Sequence, residues 1–188
     1  MHLMTTNDTT HSMPQSNAVS MTADVLTYAV AVCPLGKVLI ARSAKGVCAV
    51  LLGNDVEELT ADLSGRFPRA TLMANAAAVG VDMAKVLRYM SNPAEGLDLE
   101  LDMRGTPFQQ RVWQQLKAIA AGKTVSYTEL AEQLTPRGNP RAVARACAAN
   151  PIALAIPCHR VVRRSGALAG YRWGLERKRA LLQMEAIA

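Results

Sequence analysis

The sequence predicts an α/β N-terminal domain, a three-stranded antiparallel-type sheet with helices, followed by a mainly α C-terminal domain containing a helix-turn-helix. Three observations lead there. β-rich runs separated by turn residues fill the stretch from Leu26 to Leu52, amphipathic helical spacing follows, and after Thr106 helix signals recur with proline at helix starts. At 188 residues the chain holds one ordinary domain or two small ones. Half of it is hydrophobic but only 4% is aromatic, so small aliphatic side chains must do most of the packing.

Residues 1–24 are rich in Thr, Ser, Asn and Met and lack Lys and Arg, which predicts a disordered tail and argues against a secretory or transit segment. Leu26–Cys33, Lys37–Arg42 and Val47–Leu52 read as strands, with Pro34-Leu35-Gly36 and Ser43-Ala44-Lys45-Gly46 as the turns between them. Asn54, with Glu57 three residues on, predicts a helix start. A second helix is expected over Ala76–Met90, stopping before Pro93, and Leu97–Leu101 alternates apolar and acidic residues like a half-exposed strand. The domain boundary is expected near Arg104-Gly105, giving a first domain over 25–103 and a second over 104–188.

Thr106-Pro107-Phe108-Gln109 carries a cap, a first-turn proline and a capping-box glutamine, and Phe108, Val112, Leu116 and Ile119 recur at helical spacing up to Gly122. Residues 127–150 then read as a helix-turn-helix. Tyr127–Leu134 makes a short helix, Thr135-Pro136-Arg137-Gly138-Asn139 breaks it, and Pro140–Asn150 makes the next. At 100° per residue Val143, Ala146 and Cys147 share the inner face of that second helix. Arg141, Ala142, Arg145, Ala148 and Ala149 share the outer one. Two arginines among methyl-sized side chains would let the helix backbone approach a nucleic-acid groove closely.

The charge is divided unevenly. Residues 1–100 carry 7 Lys/Arg against 10 Asp/Glu, and residues 101–188 carry 14 against 5, so −3 and +9 make the net +6. A basic second half points to a polyanionic partner. No apolar run approaches the roughly 18–20 residues of a membrane helix, so no membrane partner is expected. The cysteines at 33, 48, 147 and 158 fit neither a zinc pattern nor a disulfide framework. No metal is expected, and a reducing, cytoplasmic setting suits an unpaired thiol.

The most informative stretch is Ile156-Pro157-Cys158-His159-Arg160-Val161-Val162. A thiol reacts as its thiolate, and a neighbouring imidazole with cationic surroundings promotes that form. In an extended strand adjacent side chains point to opposite faces. Cys158 and His159 therefore need a bridging water or a bent backbone to cooperate. Glu185 follows Leu181 and Leu182 at helical spacing, so it shares an apolar face and needs a polar partner there.

With Gly105-Thr106-Pro107-Phe108-Gln109-Gln110-Arg111-Val112-Trp113, Ser126-Tyr127, Arg141-Ala142-Val143, Asn150-Pro151, the Pro-Cys-His-Arg-Val-Val string, Gly170-Tyr171 and the closing Lys178, Leu181-Leu182 and Glu185, the chain resembles the O6-alkylguanine-DNA alkyltransferases, also called methylated-DNA–protein-cysteine methyltransferases. The stretches at 33–36 and 170–174 look most like the C-terminal half of the bacterial adaptive-response member of that family. The zinc-binding cysteine cluster of that member's own N-terminal domain is absent, so neither phosphotriester repair nor methylation-triggered transcription is expected by that route.

The resemblance implies a ribonuclease H-like first domain and a winged-helix-like second. It also implies repair by stoichiometric methyl transfer from O6-methylguanine, and from O4-methylthymine, in double-stranded DNA. Cys158 would be the acceptor, His159 its base through a water, and Glu185 the residue orienting the imidazole. Arg141 would fill the gap left by the flipped nucleotide, Tyr127 would turn its phosphate outward, and Asn150 would link the recognition helix to the active-site loop. Tyr171 would lie beside the base, with Arg172 and Trp173 adding bulk at the pocket entrance. Ala142, Arg145 and Arg160 are assigned to DNA contact. No cofactor is needed and a monomer is expected.

Three other readings compete. A non-catalytic lesion binder would lack the acceptor cysteine, which this chain has. A simple helix-turn-helix regulator would make Cys158-His159 incidental. A cysteine hydrolase would turn over repeatedly, and no oxyanion-hole motif is identifiable.

Overall fold

The structure, a computed structural model, describes residues 24–187. The tail expected at the N-terminus falls, over residues 1–23, outside the described residues. Strands β1 (Val25–Cys33), β2 (Gly36–Ser43) and β3 (Gly46–Gly53) form the expected antiparallel meander. The sheet has four strands rather than three, in the order β3-β2-β1-β4, because β4 (Thr71–Ala74) adds parallel to β1. β4 is only four residues long and mostly exposed, too short for an alternating pattern to mark it in the sequence. Gly36 closes the first turn with φ 104°, and a Cβ there would lie 2.6 Å from the Gly53 carbonyl.

Helices α1 (Val56–Arg66) and α2 (Ala76–Ser91) follow. The α1 cap is Asp55 rather than Asn54, its carboxylate accepting from the Glu57 and Glu58 N–H groups. Asn54 is engaged elsewhere, accepting from Arg177 Nη2 at 2.5 Å. Leu97–Leu101 is not a strand. Only a single parallel bridge joins Leu101 to Val47, where the Val47 N–H donates to the Glu100 carbonyl and the Asp102 N–H to the Val47 carbonyl.

Every residue of β3 is buried, each large aliphatic side chain contributing about 1.5–3 kcal/mol. Its outer edge is covered by two segments, 100–102 at one end and 151–153 at the other, the latter through Val50 N–H to the Pro151 carbonyl and Ala153 N–H to the Val50 carbonyl. That edge anchors the segment leading into Cys158.

The second half packs α3 (Pro107–Lys117), α4 (Tyr127–Gln133), α5 (Pro140–Ala148) and α6 (Leu175–Ile187), with a two-stranded parallel pair, β5 (Val125–Ser126) and β6 (Val161–Val162). Thr106 and Gln109 form the expected capping box, and Ser126 with Glu129 forms another at α4. Each cap of this kind is worth about 1 kcal/mol. α3 ends at Lys117, before the expected stop at Gly122, which instead sits in the next turn with φ 71°. Trp113 is buried and its indole N–H donates to the Ala146 carbonyl at 2.9 Å, fixing α3 against α5.

Candidate active site

Cys158, His159 and Arg160 occupy one buried 3-10 turn rather than an extended strand. The backbone is thus bent, which lifts the opposite-face constraint of an extended strand without bringing the two side chains into a direct hydrogen bond. Upstream, buried Leu154 adopts φ 69°, a left-handed conformation that costs a non-glycine residue about 1 kcal/mol or more. It turns the chain from the β3 edge toward Pro157.

Asn150, fully buried at the end of α5, organises this loop. Its Nδ2 donates to the Ile156 carbonyl at 2.8 Å and to Cys158 Sγ at 3.3 Å, and its Oδ1 accepts from the Ile152 N–H at 2.9 Å. Burial pushes the Cys158 thiol up to about 11, against the opposing effects of the Asn150 hydrogen bond and the Lys178 charge. The resting sulfur is a thiol at neutral pH, so a base must take its proton when it reacts.

His159 Nε2 lies 2.7 Å from Glu185 Oε1. Burial would raise the Glu185 carboxyl. Hydrogen bonds from His159, Arg160 and Tyr89 outweigh that and hold it well below the usual carboxylate range. An ionised carboxylate only accepts, so Nε2 carries the proton and Nδ1 presents its lone pair. That Nδ1 is buried and has no partner among the described residues. Burial also pulls His159 below its ordinary value, against the pull of Glu185, which keeps the imidazole neutral.

Arg160, assigned from the sequence to DNA, is buried instead. Its Nε and Nη2 donate to Glu185 at 2.9 and 2.8 Å, Nη1 donates to the Ile119 carbonyl, and Nη2 also reaches the Tyr89 hydroxyl at 3.2 Å. A guanidinium so enclosed cannot reach a phosphate. Tyr89, a site residue that sequence reasoning missed, donates to Glu185 Oε1 at 2.7 Å from α2.

Tyr171 is half-buried with a buried hydroxyl that has no partner among the described residues, and its ring stands edge-on to His159 at 6.5 Å and to Trp173 at 5.2 Å. Trp173 is buried behind it, while Arg172 pairs with Asp62 of α1 at 2.5 Å. The expectation of bulk at the pocket entrance gives way to bracing against the first half of the chain. Arg172 and Trp173 line a cleft with Leu52, Asn54, Asp62 and Arg177, to which Cys158 does not contribute. Tyr127 is half-buried, and burial, with the nearby Cys147 and Cys158 thiols, pushes its hydroxyl up to about 12. Lys178, named in the sequence but given no role there, is fully buried with its ammonium donating to the Val161 and Ala169 carbonyls at 2.5 and 3.3 Å.

On α5, Val143, Ala146 and Cys147 face inward as expected, Arg141 and Arg145 are exposed and Ala142 is half-buried. Arg163 and Arg164, in the turn after β6, are also exposed and make no ion pair among the described residues. Among the described residues no group of three His, Cys, Asp or Glu is arranged for a metal ion, and no helix is long and apolar enough to cross a membrane.

Residues 107–187 match the family model for the 6-O-methylguanine DNA methyltransferase DNA-binding domain. The chain is 47% identical over 159 residues to the bifunctional transcriptional activator/DNA repair enzyme Ada of Escherichia coli K12, covering 85% of this chain and 45% of that protein. It is 52% identical over 97 residues to the methylated-DNA–protein-cysteine methyltransferase of Mycobacterium tuberculosis H37Rv, covering 52% of this chain and 59% of the relative. The chain thus spans about half the length of the curated relatives it matches. The crystal structure of Mycobacterium tuberculosis OGT in complex with DNA matches with a TM-score of 0.74 at 35% identity, over 86% of this chain and 93% of that one.

Proposed function

The chain belongs to the 6-O-methylguanine-DNA methyltransferase family, and from that premise we propose that it repairs alkylated DNA by moving a methyl group onto Cys158. The observation that carries this reading is the pairing of a buried thiol, held by Asn150, with a neighbouring histidine whose Nε2–H is committed to Glu185 and whose Nδ1 has no partner among the described residues. Such an acceptor is suited to a water bridging it to Sγ. The sulfur attacks the methyl carbon of O6-methylguanine, the S–CH3 bond forms and the CH3–O6 bond breaks. The thiol proton passes through the water to His159 and finally to N1 of the released guanine.

The same chemistry applies to O4-methylthymine. The product is a thioether with no route back to the thiol in this site, so each molecule acts once. No cofactor enters the atom balance.

DNA binding is carried over from the relatives and supported by the exposed Arg141 and Arg145 on α5. A base stacked in the duplex cannot reach a buried thiol, so the nucleotide is flipped, at a cost of a few kcal/mol. Arg141 fills the gap, Tyr127 turns the phosphate, and Ala142 allows close approach to the minor groove. The Tyr171 hydroxyl, without a partner among the described residues, donates to the flipped base as charge develops on it. The division at residue 104, a ribonuclease H-like first unit, a winged-helix-like second unit, a monomeric state and a reducing cytoplasmic setting are parts of the same reading.

Cys158→Ala tests it. The variant should bind duplex DNA with nearly unchanged affinity and transfer no methyl group. Retained transfer, or affinity lost together with transfer, would contradict it.

A further inference from the structure

We infer that Tyr89 and Arg160 are positioning residues for the transfer: through Glu185 they hold His159 as the Nδ1-accepting imidazole, so the first half of the chain completes the active site. This rests on the reading of His159 as the base for Cys158. Tyr89 belongs to α2, among the buried Val79, Met83, Val86 and Met90. A phenylalanine would fill such a position without bringing a hydroxyl to be satisfied. The hydroxyl instead reaches across the molecule to Glu185 Oε1, the oxygen that also receives His159 Nε2 and Arg160 Nη2.

The charge arrangement gives the contact its consequence. A lone carboxylate against an imidazole favours the imidazolium, which has no lone pair for the thiol proton. Here Arg160 offsets the carboxylate's charge, and the donated hydrogen bonds from Tyr89 and Arg160 lower its basicity. The groups facing His159 are Glu185 and Lys178 on α6, Arg160 and Cys158 on its own turn, Tyr89 from α2, and Tyr171 from the loop before α6. Lys178 and Arg160 both disfavour the imidazolium and only Glu185 favours it. Burial keeps the Tyr89 hydroxyl protonated far above its ordinary value, so it remains a donor. A second tie, the β3 edge holding 151–153, comes from the same half of the chain.

Removing the Tyr89 hydroxyl leaves Glu185 more basic and raises the pKa of His159. Less neutral imidazole is then present at low pH, and the acid limb of the rate profile moves upward. The test measures single-turnover transfer from an O6-methylguanine duplex oligonucleotide between pH 5.5 and 8.5, with thermal melts of each variant. Tyr89→Phe should fall progressively behind wild type as the pH is lowered, approaching a deficit of about three- to tenfold only where His159 is protonated in both proteins, and should match wild type at the alkaline end, as expected for a shift of about half to one unit. Arg160→Lys keeps the charge but loses the two-pronged contact and should shift the limb the same way, which covers the case of a Tyr89 variant that fails to fold. A rate lowered equally at every pH would make these residues a structural brace and overturn the proposal, as would an unmoved profile. His159→Gln runs alongside. If it keeps the full rate and profile, the histidine-base reading itself fails. If it loses the rate while the other two variants leave the profile unmoved, only the positioning role fails.

Discussion

The Asn150 carboxamide donates to the Cys158 sulfur across 3.3 Å while the same Nδ2 holds the Ile156 carbonyl at 2.8 Å. One side chain at the end of α5 thus fixes the loop and favours the thiolate. Asn150→Ala removes both contacts and strands the buried Ile156 carbonyl. It should raise the Cys158 thiol further and cost about 1–3 kcal/mol of stability for the lost partners. Alkylation of Cys158 by iodoacetamide against pH, with urea melts, checks both. An unchanged thiol titration would mean that the contact does nothing for the sulfur.

Glu185→Gln removes the negative charge, and one of the two acceptor oxygens, on which His159, Arg160 and Tyr89 converge. Breaking such a buried ion pair costs about 3–5 kcal/mol, and transfer should fall with it. The folded carboxyl lies below its unfolded value, so its stabilisation is complete above the ordinary carboxylate pKa of about 4.3. It is lost as pH falls through the depressed folded value. Wild-type unfolding free energy should therefore drop on acidification more steeply than that of the variant. Parallel pH dependences would contradict the ion-pair account.

Arg141 is exposed at the start of α5, capped by Asn139. Under the flipping mechanism Arg141→Ala slows repair of duplex DNA by about ten- to thirtyfold, a barrier increase of about 1.4–2 kcal/mol. Reaction with the free modified base should stay within about twofold. Equal losses on the two substrates would remove Arg141 from the flipping step.

Arg141 and Arg145 on α5 and Arg163 and Arg164 in the turn after β6 are exposed arginines of the basic second half. If two to four of them meet phosphates, log affinity for duplex DNA should fall against log salt with a slope of about −2 to −4. A charge-removing substitution at each position that meets a phosphate should reduce the slope by about 1. A flat salt response would dissociate the basic half from DNA.

Much of the site was legible from local chemistry. Cys158 beside His159 announced itself, and Glu185 declared a need for a partner by its place on the apolar face of α6. The capping box at Thr106 and the inner stripe of α5 follow from spacing alone. Tyr89 was illegible because it sits 96 residues from Glu185 inside an ordinary apolar stripe, and nothing local says which helix face meets the second half of the chain. Arg160 was misread for a related reason. In a basic half, an arginine beside a reactive pair looks like a phosphate contact until the carboxylate that buries it is in view. Leu97–Leu101 has a strand's alternation, yet β3's edge is shared with 151–153, so the segment pairs only at Leu101.

The central claim is stoichiometric transfer to Cys158. Purified protein incubated with excess duplex containing one O6-methylguanine should gain a single methyl, about 14 Da, mapped by peptide mass to Cys158 in keeping with thioether formation at an activated thiol. At most one lesion should be repaired per protein molecule. A lesion bound but unrepaired, with the protein mass unchanged, would contradict the account and leave a protein that recognises damage without removing it.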